Sequence, residues 1–566
     1  MAAIWRLPSA LRHVLVVNHP STFPLLQCSF STSAVRPSTG RTYLDALALL
    51  EKLQSNREVV SAISNTSRDM NLDAIPEMLT WTSKAGYNVQ DFAKRGLRCI
   101  HVAGTKGKGS VCAMAENILL QYRKRGSDDT GLGKIGVYTS PHLIHVRERI
   151  RIDGSPISEP LFSKYFFELW DRFSDAAVSD SNTDALSPDT KPAYFRYLTL
   201  LAFHSFIREG VETAIMECGI GGEYDSTNIL PTEAITTAAI TTLGIDHVGM
   251  LGESIEDIAW HKAGIMKAGV PAYTSKQIPK AQAVLDSRAD EKGVKLSVID
   301  RLQTLDESIK LGLDGDFQKD NASLAVVLVA SHLRIMGITD GVPEPEALAS
   351  SQSPLPERFI FGLETVTWPG RCQYIKDSNT EWFIDGAHTK DSLEVAATWF
   401  TDKVYEARSS SEPPTATMLI FNQQDRDALP LLSGLITSLC QKKLSRGSPK
   451  KKASSMKAFI NQSSPWVVSK VFTYAAFCTN QPFKPAVEGS IDTTVQNALA
   501  QKYSRLDGNQ LQMVFESVEE AVDLAHRVSK GKERVMVLVT GSLYLVGSLL
   551  KVLEKKGVDT TGKSGV

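Results

Sequence analysis

A glycine-rich stretch at residues 104–110, Gly-Thr-Lys-Gly-Lys-Gly-Ser, holds the residue types best suited to phosphate chemistry. The apolar run before it, 98–103, predicts a buried strand, and the segment after it, 111–120, is compatible with a helix. At a helix N-terminus, glycines let backbone amides approach phosphate oxygens, and Lys108 adds a full positive charge. The usual nucleotide loop G-x4-G-K-[ST] is not matched, because Ser110 stands where its lysine should be. A glycine-rich turn alone is often only a turn, but its flanks favour a phosphate loop with ATP as the default ligand.

Polar residues also follow three other predicted strands. The strands are predicted at 134–138, 213–216 and 234–242, and they are followed by Ser140, Glu217 and His247. Each of these residues alone is an ordinary cap or turn residue. In a parallel sheet, however, the carboxyl ends of the strands meet at one edge, where ligands bind. Oxygen and nitrogen ligands of this kind hold Mg²⁺ between a protein and a triphosphate, so the shared edge predicts a magnesium site.

The alternation of strands and helices over 98–275 predicts a doubly wound parallel α/β sheet, followed after a linker by a smaller α/β domain. Helices are expected at 42–53, 160–173, 194–207 and 317–334, with a polar surface loop at 174–190. Strands of the second domain are expected at 381–384, 417–421, 467–473 and 535–539. The expected divisions are a leader (1–41), an ATP-binding domain (42–338), a proline-rich linker (339–360) and a C-terminal domain (361–566).

Charge and composition exclude several classes of function. The 62 basic and 63 acidic residues give a net charge of -1, so no global field attracts nucleic acid or an anionic membrane. Seven scattered cysteines without a C-x-x-C pair are typical of free thiols. No apolar run is long enough to predict an integral membrane segment. The basic stretch 441–464 has no aromatic stacking pattern, which favours a solvated insertion over a nucleic-acid site.

The N-terminal residues have the composition of a mitochondrial transit peptide. The first acidic residue is Asp45, and many serines and threonines precede it. Four arginines also precede it: Arg6, Arg12, Arg36 and Arg41. A bland disordered tail is the alternative. We expect residues 1–41 to direct the protein to the mitochondrial matrix or inner membrane, with a cytoplasmic form if translation starts downstream.

Taken together, the motifs resemble those of folylpolyglutamate synthase, a member of the Mur ligase group. They lie, in order, at 104–110, 140–142 (Ser-Pro-His), 146–154 (Val-Arg-Glu-Arg-Ile-Arg-Ile-Asp-Gly), 217–222 (Glu-Cys-Gly-Ile-Gly-Gly), 243–247 (Leu-Gly-Ile-Asp-His), 262–265 (Lys-Ala-Gly-Ile), 385–388 (Asp-Gly-Ala-His) and 537–547. The resemblance implies that ATP phosphorylates the γ-carboxylate of a reduced folate and that the amine of glutamate then attacks the acyl phosphate. It also implies a monomer whose substrates are tetrahydrofolate polyglutamates, L-glutamate and ATP, with Mg²⁺ and K⁺ or another monovalent cation as cofactors.

The resemblance assigns a role to each candidate residue. Phosphate binding is assigned to the loop residues Gly104, Thr105, Lys106, Gly107, Lys108, Gly109 and Ser110. Magnesium binding is assigned to Ser140, Glu217 and His247, and Lys262 matches a lysine that the family carbamylates. Asn321, Arg371, Asp385 and His388 match residues that hold ATP from the opposite side. Among all of these, Lys108, Lys262 and His247 are the expected catalytic residues.

Three other functions remain open at this level. A dihydrofolate synthase would use the same chemistry on dihydropteroate, but Lys106, the stretch 192–204 and Thr389 look like the eukaryotic polyglutamate synthase pattern. A nucleotide-binding regulator that has lost catalysis conflicts with the intact Lys108 and Glu217. An RNA-binding protein would depend on the basic stretch 441–464 and would bind less tightly as salt rises.

Overall fold

The computed structural model of the chain describes residues 41–54, 73–124, 131–180, 184–350, 355–424, 427–446, 471–484, 491–507, 511–530 and 534–561. The predicted leader therefore lies outside the described residues, apart from Arg41, and so does most of the basic stretch 441–464. Within the described part of the chain, no helix is both long enough and apolar enough to cross a membrane.

The first sheet has eight strands and carries the phosphate loop at its centre. The strands are β1 (Arg98–Ala103), β2 (Lys134–Tyr138), β3 (Ile150–Ile152), β4 (Ser155–Pro156), β5 (Val211–Glu217), β6 (Ile235–Ile240), β7 (Ala272–Ser275) and β8 (Leu296–Ile299). Their order is β4-β3-β2-β5-β1-β6-β7-β8. The pairs from β2 to β8 are parallel, whereas β3 pairs antiparallel with β2 and with β4. The predicted parallel sheet is confirmed, with an antiparallel edge that was not predicted.

Helices cover both faces of this sheet. They are α1 (Tyr43–Lys52), α2 (Ala74–Lys84), α3 (Lys108–Leu120), α4 (Glu159–Ser179), α5 (Tyr194–Glu209), α6 (Val248–Leu251), α7 (Ile255–Ala263), α8 (Pro279–Lys292), α9 (Thr304–Glu307), α10 (Gln318–Ile335), α11 (Pro345–Ser350) and α12 (Glu357–Glu364). Alternate residues of β1 point to opposite faces, since Cys99 packs in the cluster with α4 and α5 while Ile100 and Val102 pack in the cluster with α3 and α10. A sheet buried on both faces is the doubly wound arrangement that the alternation predicts.

The second sheet has six strands and is also sandwiched by helices. Its strands are β9 (Gln373–Asp377), β10 (Thr380–Ile384), β11 (Ala416–Phe421), β12 (Tyr474–Cys478), β13 (Gln512–Phe515) and β14 (Val535–Thr540), in the order β13-β12-β11-β14-β10-β9. Only the β9–β10 pair is antiparallel. The helices are α13 (Lys390–Arg408), α14 (Ala428–Arg446), α15 (Thr494–Asp507), α16 (Val518–Ser529) and α17 (Leu543–Lys555).

Two predicted segments differ from the structure. Of the strand predicted at 467–473, residues 467–470 lie outside the described residues and 471–473 are not in a strand. The strand β12 begins at Tyr474, and its small Ala475 and Ala476 give little strand signal although they are buried. The loop predicted at 174–190 is partly helical, since α4 continues to Ser179. Ser174 and Ala177 are buried on that helix, so its last turns pack against the core although their composition is polar.

Candidate active site

The phosphate loop is held by the two residues that follow strand β6. The backbone amides of Thr105 and Lys106 both donate to the carbonyl oxygen of Thr242, at 3.1 and 3.0 Å. Gly104 adopts φ +143°, and a Cβ there would lie 1.9 Å from Oγ1 of Thr241. Only glycine fits this position, so the loop passes close against the neighbouring strand.

The helix behind the loop begins three residues earlier than its sequence pattern suggests. Gly107 is the N-cap of α3 with φ +90°, so Lys108, Gly109 and Ser110 form the first helical turn. A Cβ on Gly107 would lie 2.3 Å from Oδ1 of Asn321. The loop amides therefore surround the positive end of the helix dipole, as a phosphate site requires.

Two lysines converge on one carbonyl oxygen at the start of the loop. Nζ of Lys108 lies 3.0 Å and Nζ of Lys262 lies 2.8 Å from the carbonyl oxygen of Gly104. Lys262, on α7, is only 3% exposed. Burial, with the nearby Lys108 charge, lowers the pKa of Lys262 to about 7. The side chain is therefore close to half neutral at physiological pH, unlike an ordinary lysine.

A buried carboxylate lies beside these cations. Glu217 ends β5 and is 3% exposed, and its Oε2 accepts a hydrogen bond from the backbone amide of Ser140 at 3.1 Å. Burial raises the pKa of the Glu217 carboxyl, and the charges of Lys108, Arg371 and Arg149 oppose that rise. The end of β2 and the end of β5 thus bring Ser140 and Glu217 together, as the sequence predicted.

His247 is placed differently from the other two predicted metal ligands. It lies on an exposed turn with φ +52° and is the N-cap of the short helix α6. Among the described residues, no three His, Cys, Asp or Glu side chains come together closely enough to hold a metal ion. The magnesium role of His247 remains a prediction.

The second sheet contributes residues that face the loop. Asp385 directly follows β10, and its carboxylate accepts hydrogen bonds from the amides of Cys372 and Ala387, at 2.8 and 2.9 Å. Burial raises the pKa of Asp385, and the Arg371 charge counteracts this effect. The Arg371 charge also opposes the rise in the pKa of Glu217 on the first sheet, so it acts on both carboxylates.

His388 follows Asp385 by three residues. Its Nδ1 donates to the carbonyl oxygen of Gly386 at 2.8 Å, and its backbone amide donates to Oγ of Ser392. In a neutral imidazole with this tautomer, Nε2 is the acceptor. The ring is therefore oriented by its own turn at the N-terminus of α13.

Direct contacts join the loop to residues further along the chain. Nζ of Lys106 forms an ion pair with Oδ2 of Asp391 on α13, at 2.9 Å. The Trp368 indole covers the loop, because a Cβ on Gly109 would lie 3.1 Å from its Nε1. Oγ of Ser110 accepts a hydrogen bond from Gln318 at 3.3 Å. The predicted loop residues therefore lie where both sheets contribute side chains.

Gln318 also connects Asn321 with the loop, since Nδ2 of Asn321 donates to Oε1 of Gln318 at 2.9 Å. A cleft of about 820 Å³, lined in part by Trp368, Arg371 and Asp314, opens beside this region. Its volume is within the range of small-molecule sites.

Asp225 is a supporting residue that the sequence reasoning missed. Its Oδ2 accepts hydrogen bonds from the amides of Gly219 and Ile220, at 2.9 and 3.1 Å, and its Oδ1 accepts from the amide and hydroxyl of Thr227. The carboxylate thereby fixes the turn that follows Glu217. An Asp two residues before a Thr is a known turn signal, and it could have been noticed after the glycine-rich stretch.

Comparisons with known proteins show which family this chain is similar to. No protein-family model matches the sequence. The chain is 41% identical over 518 residues to the folylpolyglutamate synthase of Saccharomyces cerevisiae strain FostersO, covering 91% of this chain and 88% of the yeast protein. The same values hold for the folylpolyglutamate synthase of strain S288c.

Solved structures resemble the fold over a similar length. The apo form of the L. casei FPGS has a TM-score of 0.61 at 20% identity, covering 91% of this chain and all of that one. The Mycobacterium tuberculosis folylpolyglutamate synthase complexed with ADP and AMPPCP has a TM-score of 0.59 at 22% identity, covering 90% and 98%. At this identity, the structural likeness supports the fold.

Proposed function

Because the chain belongs to the folylpolyglutamate synthase family, we propose that it is an ATP-dependent ligase that adds L-glutamate to the γ-carboxyl of tetrahydrofolate and its polyglutamates. Such products keep folates available for one-carbon metabolism. The observation that carries the proposal is the convergence of Lys108, Lys262 and Glu217 at the phosphate loop, on a chain with 41% identity to a folylpolyglutamate synthase over 91% of its length.

The reaction needs two group transfers. A folate carboxylate oxygen attacks the γ-phosphorus of ATP, which forms an acyl phosphate and releases ADP. The glutamate amine then attacks the acyl carbon, phosphate leaves with the bonding electron pair, and the nitrogen loses a proton as the amide forms. Both steps depend mainly on positioning and on neutralising phosphoryl charge.

The residues of this chain supply those two requirements. Lys108 and the backbone amides of the first turn of α3 hold the β- and γ-phosphate oxygens. Arg371 approaches the same region from the second sheet and adds a positive charge. Asn321, Asp385 and His388 hold the nucleotide on that side.

Glu217 and Ser140 fit a magnesium ion. The donors available are hard oxygens, and the Glu217 carboxylate is held in place by the amide of Ser140 while other cations surround it. These two residues would hold the ion, with His247 as a third ligand. When bound, Mg²⁺ screens the negative charge of the phosphates.

Lys262 is suited to carbamylation. Its lowered pKa supplies a neutral amine near pH 7, whose nitrogen attacks CO₂ to form a carbamate and releases one proton. The product is an anion beside Lys108, so two adjacent cations become an ion pair. Lys262 would then act as a carboxylate-like group facing the phosphate site.

The test is product analysis with the full chain, Mg-ATP and glutamate, with tetrahydrofolate or dihydropteroate as acceptor. We expect ADP release with tetrahydrofolate, and mass spectrometry should detect successive glutamate additions. Consumption of dihydropteroate alone would keep the chemistry but change the substrate to that of a dihydrofolate synthase. No turnover of either acceptor would favour a nucleotide-binding regulator.

We further propose that the protein acts as a monomer in mitochondria, with a second form in the cytoplasm and with stimulation by K⁺. The arginines of 1–41 and the absence of acidic residues there support the targeting. Fusion of residues 1–41 to a fluorescent protein tests it, because a diffuse signal throughout the cell would contradict mitochondrial import. Light scattering during chromatography tests the monomer, and replacing K⁺ by tetramethylammonium tests the cation.

A further inference from the structure

The motif at 146–154 contains three arginines, and one of them lacks an ion pair. Nε of Arg147 lies 4.0 Å from Glu159, and Nε of Arg151 donates to both carboxylate oxygens of Glu116, at 3.2 and 3.0 Å. Arg149 is the most buried of the three, at 8% exposure. Yet no carboxylate of the described residues lies within 4 Å of its guanidinium nitrogens.

The contacts of Arg149 orient its side chain without neutralising it. Its Nε donates to Nδ1 of His142 at 2.9 Å, and its guanidinium carbon lies 5.6 Å from the ring centre of Tyr194. An arginine Nε–H can only donate, so Nδ1 of His142 accepts this hydrogen bond and carries no proton. The two terminal nitrogens have no hydrogen-bond partner among the described residues. The side chain is largely buried, but these two nitrogens stay accessible, so an anion entering the site can complete their hydrogen bonds.

Arg149 lies beside the residues assigned to catalysis. Its carbonyl oxygen accepts from the amide of Thr139 at 3.0 Å, one residue before Ser140. The amide of Ser140 in turn donates to Oε2 of Glu217 at 3.1 Å, so the backbone that Arg149 contacts leads directly to that carboxylate. The same turn meets the second sheet, because the carbonyl oxygen of Leu143 packs against Gly547 of α17. An anion on Arg149 would therefore lie next to the reacting groups.

The proposed reaction supplies anions that no residue has yet been assigned to bind. The terminal glutamyl group of the folate acceptor keeps its α-carboxylate throughout, and the incoming glutamate carries two carboxylates. A planar guanidinium with two free nitrogens matches a carboxylate in a bidentate arrangement. We propose that the terminal nitrogens of Arg149 bind a substrate carboxylate, from either the acceptor or the incoming glutamate. This inference rests on the proposed ligase function.

Steady-state kinetics of Arg149→Gln and Arg149→Lys test the assignment, after turnover by the wild type has been established. No wild-type turnover would refute the ligase function itself, separately from the role of Arg149. With an active wild type, we expect Arg149→Gln to raise KM for tetrahydrofolate or for glutamate by about ten- to a hundredfold, and Arg149→Lys to restore part of that loss. The matched control is Arg147→Gln, two residues away, which should leave these constants near wild type.

The substrate whose KM rises identifies the source of the carboxylate. If Arg149 binds the α-carboxylate of the acceptor, the wild type and Arg149→Gln should bind tetrahydropteroate equally well, because tetrahydropteroate lacks the glutamyl group. Tetrahydrofolate should then lose affinity only in the variant. If Arg149 instead binds a carboxylate of the incoming glutamate, only KM for glutamate should rise in Arg149→Gln. A change confined to KM for ATP, or no change in any KM, would overturn the proposal, because Arg149 would then serve only Glu217 or the fold.

Thermal unfolding of ligand-free Arg149→Met separates binding from a structural role. Because no carboxylate of the described residues lies within 4 Å of the guanidinium, its removal should leave the melting temperature close to that of the wild type, even though folate or glutamate binding is lost. A clearly lower melting temperature, with unchanged KM values in the folded variant, would show that Arg149 is a structural residue and would refute its binding role.

Discussion

Replacing Lys262 by methionine should stabilise the ligand-free protein while abolishing its activity. The pKa of Lys262 falls from the usual lysine value of 10.5 to about 7 because its ammonium is buried beside Lys108. The difference is about 3.5 pKa units, and at about 1.4 kcal/mol per unit the folded state loses on the order of 5 kcal/mol. Methionine fills a similar volume without the charge, and Lys108 still donates to the Gly104 carbonyl.

The difference in stability between Lys262→Met and the wild type should depend on pH. Below pH 7 the lysine is protonated in both the folded and the unfolded protein, so the full penalty is present. Between pH 7 and 10.5 the folded protein releases the proton while the unfolded protein keeps it, and the penalty disappears. The stability advantage of Lys262→Met should therefore be largest below pH 7 and fall by about 1.4 kcal/mol per pH unit above it.

Urea unfolding in CO₂-free buffer, without nucleotide, measures this difference. The exposed Lys276→Met is the control, and its stability relative to the wild type should not vary in the same way. Adding bicarbonate should stabilise the wild type but not Lys262→Met, since only the wild type can form a carbamate. Parallel stability profiles of wild type and Lys262→Met between pH 7 and 10.5 would refute the reasoning, because the ammonium would then carry no burial penalty.

Other changes at the loop have distinct expected outcomes. Lys108→Ala should abolish ADP release while circular dichroism stays unchanged, because the lysine contacts a loop carbonyl and no core group. Gly104→Ala should abolish ATP binding in a fluorescence assay, since its Cβ would lie 1.9 Å from Oγ1 of Thr241. The Lys106–Asp391 pair should contribute less than about 1 kcal/mol in a double-mutant cycle, because the Asp391 side chain is 66% exposed.

Much of the site's framework could be predicted from local sequence. The strand β1, the glycines and the following helix form one continuous signal, because buried strands are apolar and tight turns need glycine. The polar ends of β2 and β5 were also predictable, since parallel strands present their carboxyl ends at one edge. The structure confirms that Ser140 and Glu217 meet there.

Features that depend on distant segments could not be predicted in the same way. A lysine near the end of a short amphipathic helix normally extends into solvent, and local sequence gives Lys262 that interpretation. It is buried because Gly104, far away in the chain, places a carbonyl oxygen 2.8 Å from its Nζ. The sequence likewise does not predict that Arg149 lacks an ion pair, because nothing in it distinguishes Arg149 from Arg147 and Arg151.

The charges at the site explain why it suits anionic substrates. Lys108, Arg371 and Arg149 all act on the buried carboxylate of Glu217, Arg371 also acts on that of Asp385, and Lys262 lies beside Lys108. Basic side chains therefore outnumber these two carboxylates, so without substrates the basic groups repel each other in surroundings that water screens poorly. Phosphate and carboxylate groups would replace that repulsion by attraction. The charges that destabilise the empty site would therefore supply affinity for ATP and folate, and the low pKa of Lys262 is one measurable consequence of the same imbalance.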